Sequence, residues 1–263
     1  MIKTNRDEYD LLVSLGGSCS AASQLRHRGK RVCSFPLDWT LMADERPIRA
    51  LPELFRNKFR DFCLAENMFE YEPSGCDYGV RRCHLEDRHT GYRVIHHFTA
   101  PPGNAVKYAR ERDVLIRRVN RLYAMMGRAR SALFVLNTVF QYDAGLLLPV
   151  HDAIENAFPG VEVEIVALQF SAKECKECEL RNGAIKVALV ERPLNIVYDN
   201  QLTAPEWAWM DQVKLTGTPL PETLRKNSLS VKWAYKAWRH LGKWLEDRNA
   251  GCVSMRFLKF NRY

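Results

Sequence analysis

The sequence predicts an α/β chain with a central, mostly parallel sheet flanked by helices and a Trp-rich helical region at its carboxy-terminal end. Short runs rich in β-branched or aromatic residues recur at 11–15, 93–98, 132–137, 162–168 and 185–191. From residue 105 onward helix-like and strand-like segments alternate, the order that lays helices over a parallel sheet. The last sixty residues differ in character, being basic and rich in tryptophan, so residues 1–200 are read as the core and 201–263 as a helical region packed on it.

The first element, LLVSL, leads into Gly16, Gly17, Ser18 and Cys19, and then into a helical run closed by Gly29. Ser18 is placed to cap that helix. Ala22 and Leu25 share a face, and Arg26, His27 and Arg28 fall in the last turn, where positive charge complements the helix dipole. Residues 41–92, with Pro47, Pro52 and Pro73, read as a helical insertion followed by irregular loop or short strands. Pro101, Pro102, Gly103 and Asn104 introduce the clearest helix, 105–126, whose stripe is Tyr108, Leu115, Val119, Leu122 and Met126. A shorter helix, 150–158, stops at Pro159 and Gly160.

Strand, glycine turn, thiol and helix form a coherent catalytic geometry. Cys19 in a first helical turn faces unpaired amides that favour thiolate over thiol. Gly16 and Gly17 let the backbone turn sharply, and the amides of Gly16, Gly17, Ser18 and Ser20 are candidates to hold an oxyanion. The structural alternative is a small buried thiol at a tight corner. Leu25 stands where a phosphatase loop needs arginine, and no Gly-Lys-Ser/Thr ending supports a nucleotide loop.

A cysteine nucleophile needs a base. His96 and His97 lie within the 93–98 strand pattern, where alternation sends one to each face. Asn137, at a strand end, and Asp38, in FPLDWT, are candidates to orient an imidazole, with Asp143 a further one; turn formation and helix capping are the structural alternatives. Cys175 and Cys178 form one CKEC pair, and Cys76, Cys83 and His84 offer further ligands, but no second pair stands at zinc spacing, so no metal or cofactor is expected.

Net charge is +8, with the excess concentrated in 107–130 and 225–246, both read as solvated helix faces. No recognition motif accompanies them, so no specific nucleic acid is expected. The amino terminus has no signal-peptide core and no stretch spans a bilayer, which places the chain in the cytoplasm with its eight cysteines reduced. The segment SVKWAYKAWRHLGKWLED forms a basic amphipathic helix that docks on its own domain or lies on an anionic membrane.

Leu15, Gly16 and Cys19, then Pro36, Asp38 and Trp39, then His96 and Phe98, resemble the Leu-Gly-Ser-x-Cys, Pro-Phe-Asp-Trp and His-Asp-Phe elements of a bacterial family of papain-like cysteine peptidases, itself of unknown function. Gly17, Leu37 and His97 depart from the serine, phenylalanine and aspartate of that pattern. The resemblance implies a Cys19/His96 pair, a site including Trp39 and His97, and a papain-like α+β fold as the alternative architecture. The opening is also similar to that of capsular-polysaccharide acyltransferases. The expectation is a thiol-dependent acyl hydrolase or acyltransferase acting on an acyl-bearing peptide, glycan or thioester. Its alternative is a non-catalytic binding protein using the carboxy-terminal helix.

Overall fold

The computed structural model describes residues 2–77, 80–171, 176–191 and 205–216. In chain order its elements are β1 (Glu8–Tyr9), β2 (Leu11–Ser14), α1 (Cys19–His27), β3 (Thr40–Met42), α2 (Arg46–Arg56), β4 (Met68–Asp77), β5 (Val80–Asp87), β6 (Tyr92–Val94), α3 (Ala105–Met126) and β7 (Ser131–Thr138). There follow α4 (Leu147–Ala157), β8 (Glu162–Ser171), β9 (Lys176–Leu180), β10 (Ile185–Glu191), α5 (Trp209–Gln212) and β11 (Lys214–Leu215). The result is a mixed α/β chain, compatible with the α+β alternative. The amphipathic segment 230–247, and with it the proposed docking or membrane helix, lies outside the described residues.

A five-stranded sheet has the order β2-β7-β8-β10-β9. The first four strands pair in parallel and β9 adds an antiparallel edge. Every residue of β7 is buried, because helices cover both of its faces and leave no polar side to alternate with. Leu133 and Val135 join Ala21 and Leu25 of α1 together with Trp207, Trp209, Met210 and Val213 on one face. Phe134 points the other way, its ring edge-on to Phe55 of α2 at 6.1 Å. Tryptophans at the start of the expected carboxy-terminal region are thus core residues, and β11 pairs with β1.

A second sheet, β3-β6-β5-β4, is antiparallel and lies in the region that the prolines had made hard to read. Here the expected strand 93–98 is corrected: β6 ends at Val94, opposite Thr40 where β3 begins, while β5 runs on past Leu85 and its Cys83 N bonds Phe98 O at 3.0 Å. His96 and His97 therefore sit in a bend just beyond the strand. CKEC is corrected as well. Its Cys178 stands exposed on β9, opposite Val187, while Cys175 lies outside the described residues.

Candidate active site

At the end of β2, Leu15 still donates to Val135 O at 2.8 Å, and then the chain turns through Gly16 (φ +83°) and Gly17 (φ +90°). Both glycines are required by contact as well as by conformation. A Cβ on Gly16 would stand 2.3 Å from Thr40 Oγ1, and one on Gly17 would stand 2.1 Å from Asn137 O. Glycine at position 17 lets the turn lie directly on the end of β7. Asn137 N donates to Gly16 O at 3.3 Å, and Met42 N to Gly17 O at 3.1 Å, so both sheets grip the turn.

Ser18 caps α1, its hydroxyl accepting from Ser20 N at 3.2 Å and donating to Asn137 Oδ1. The far end closes on Gly29, with Lys30 N bonded to Leu25 O and Gly29 N to Arg26 O. Cys19 is the first helical residue and is 7% exposed, so its sulfur sits at the amide end of α1 with little solvent contact. Of the amides expected to hold an oxyanion, Gly16 N is taken by Ser14 Oγ and Ser20 N by Ser18 Oγ. Among the described residues those of Gly17 and Ser18 have no acceptor.

His96 packs against Trp39. Trp39 has φ +66°, a left-handed conformation costly for a bulky side chain, and this holds its indole between two groups of opposite kind. The His96 ring meets its edge at 6.2 Å. Arg26 and Arg31 lie over its face at 5.2 and 5.4 Å. Arg26 lies on α1 seven residues beyond Cys19, two helical turns along, so Trp39 links His96 to the carboxy-terminal half of the helix that Cys19 opens. Arg82 Nη1 donates to His96 O at 3.2 Å, fixing the bend that carries the imidazole.

The other candidates fall elsewhere. Asn137 is fully buried, but its amide oxygen serves Ser18 and its Nδ2 has no partner, so it braces the glycine turn rather than an imidazole. β7 lies beside β2 in the sheet, and this delivers its end beneath the turn. Asp38 is 1% exposed; its Oδ2 accepts from Arg31 Nε and Nη2 at 2.9 and 2.6 Å and from Phe35 N at 3.0 Å. Burial raises its carboxyl above the usual range despite Arg31. It caps its own turn, not α2, which begins at Glu45. His97 faces away toward α3, where Arg118 Nη1 lies 3.0 Å from its Nδ1. Burial first, then Arg118, hold its protonation well below the ordinary histidine range. Asp143 caps Gly145 N at 2.9 Å as a turn former.

Sequence reasoning missed the arginines. The basic face of α3, expected to be solvated, instead sends Arg112 to Phe62 O, Arg118 to His97 and Arg121 to Ser34 O. Only the helical spacing of these residues was visible beforehand.

Neither metal reading gains support from side-chain placement. Cys83 is fully buried, and His84 faces Glu72 at 3.5 Å. His151, Asp152 and Glu155 gather on α4, but Arg181 pairs with both carboxylates and His151 Nε2 lies on Val163 O. A cleft of about 580 Å³ opens near Tyr142, Gln169 and Leu189; of the candidate residues it is lined by Asp143 and Cys178, and by neither Cys19 nor His96.

Together these features define an α/β protein that presents a cysteine at a helix amino terminus beneath a glycine turn. The family model described as putative papain-like cysteine peptidase (DUF1796) matches residues 10–172, and the chain belongs to that family. No curated protein and no solved structure matches it. Among the described residues no helix is long and apolar enough to cross a membrane, and the described cysteines form no disulfide.

Proposed function

We propose that this chain is a thiol-dependent acyl hydrolase of the peptidase kind, with Cys19 as nucleophile and His96 as its base. The observation that carries the reading is Cys19 at the amide end of α1 behind the glycine turn, and the packing of Trp39 against both His96 and Arg26 of that helix supports His96 as the base. His96 takes the Sγ proton, and the sulfur attacks the acyl carbonyl carbon. The amides of Gly17 and Ser18 receive the developing oxyanion. The leaving group departs with the proton from His96, and water, deprotonated by the same imidazole, releases the acyl group from sulfur. A hydroxyl or amine in place of water would turn the same intermediate to acyl transfer. Asn137 and Trp39 are positioning residues, acting through Ser18 and His96. Reduced thiols suit this chemistry, which fits a cytoplasmic setting.

The test is competitive labelling with iodoacetamide below about pH 8, read by mass spectrometry, beside turnover of a fluorogenic peptide library. Cys33, which burial pushes up to about 11, and Cys63, raised further by full burial, are internal slow references. Cys19 is expected to react first. Cys19→Ser should abolish turnover, by on the order of a thousandfold or more, and His96→Ala should slow it by on the order of a hundredfold. A Cys19 no more reactive than Cys33, with turnover indifferent to Cys19→Ser, would overturn the proposal.

A further inference from the structure

Beside the proposed thiol site the structure gathers more positive charge than its own acids balance. Arg31 binds Asp38, Arg82 binds His96 O, Arg118 meets His97, and Arg121 binds Ser34 O, so four guanidiniums converge on the two segments 31–39 and 95–97. Among the described residues Asp38 is the carboxylate bonded within this group, and its Oδ2 makes those bonds. Arg118 feels Arg31 and Arg121 as like charges, and burial leads the effects that bring it down to about 10. Among the described residues Arg82 Nε and Arg121 Nε are shut off from solvent with no acceptor. A guanidinium cannot shed its proton to relieve such burial, so these donors call for an anion. Because Arg118 donates to Nδ1, the His97 proton resides on Nε2, where the Asp38 backbone accepts a hydrogen bond from it.

We propose that Arg31, Arg82, Arg118 and Arg121 form a binding pocket for an oxyanion group, phosphoryl or carboxylate, carried by the molecule that Cys19 acts on. The assignment of that molecule as substrate rests on the proposed thiol chemistry, whereas the pocket itself does not. Planar guanidiniums fit such groups through paired N–H donors, and the fork geometry explains arginine rather than lysine at these positions. The chemical class implied is an acyl compound with an acidic group near its scissile carbonyl.

The test is isothermal titration of the full chain with inorganic phosphate and, separately, with acetate, at one fixed chloride concentration. Saturable binding of either anion is expected, the tighter one naming the group. Arg118→Gln and Arg82→Gln should each weaken it tenfold or more, and Arg118→Lys should recover part of the loss. Circular dichroism checks that each variant folds, and the second arginine serves if the first variant does not. Cys19→Ser should bind as the wild type does, so binding that survives while thiol reactivity fails keeps the pocket and discards the catalytic reading. No saturable binding of either anion, or equal affinity in the folded arginine variants, would overturn the pocket.

Discussion

Replacing Gly16 with alanine puts a methyl group where the turn has no room, and the contacts let its effect be worked out. At φ +83° a side chain costs roughly 1–2 kcal/mol, of which about 0.4–1 kcal/mol is returned by a less flexible unfolded chain. The new Cβ would stand 2.3 Å from Thr40 Oγ1, with Leu37 O at 3.1 Å and the Tyr92 ring at 3.4 Å closing the other directions. Thr40 must therefore turn away and give up its 2.7 Å bond to Leu37 O in a buried place, which costs about 1–3 kcal/mol more. The sum is about 2–4 kcal/mol, or roughly 5–15 °C in Tm for a domain of this size. Gly29→Ala is the control. It has φ +67° with nothing within 4 Å, so only the conformational cost applies, and its Tm should fall by no more than about 5 °C. Urea unfolding followed by circular dichroism measures both, and their difference isolates the contact with β3. Equal midpoints for the two variants would refute the claim that the turn is clamped between the sheets.

Two further outcomes follow from buried charge. Glu164 accepts from Lys186 Nζ at 2.8 Å, from Tyr9 and from Asn5 N, with both ion-pair side chains under a tenth exposed, so Glu164→Ala should cost about 3–5 kcal/mol by stranding the ammonium. The double variant Glu164→Leu with Lys186→Met should regain most of that in the same denaturation assay; a double variant no better than the single one would contradict a buried pair. His97 stays neutral when folded but takes a proton near pH 6.5 when unfolded, so folding loses stability as pH falls below that value, by about 1.4 kcal/mol per pH unit until the lowered folded value is reached. His97→Gln should flatten the urea midpoint between pH 7.5 and pH 5.5 by this one-proton slope, and an unchanged slope would show the ring already titrating in the folded chain.

The legible parts of the fold were those whose cause lies within a few residues. α3 was plain from Asn104 and its apolar stripe, and β7 from an unbroken apolar run. The β4–β5–β6 region was obscure because bulges interrupt its pairing and prolines mask its alternation. β9 was missed because KECEL is an edge strand with three exposed residues, Glu177, Cys178 and Glu179, and so lacks the apolar content by which strands are recognised.

At the site the same division holds. The sequence by itself determined the turn, the cap and the thiol at a helix start, because Gly16, Ser18, Cys19 and Gly29 act on backbone groups no more than a turn away. Tertiary structure alone decided that Asn137 serves Ser18, that Trp39 packs against His96, and that arginines of α3 turn inward. A basic stripe has the same spacing whether water or a loop from eighty residues earlier faces it. Only packing fixes the neighbours of each charge, and those neighbours set its energy.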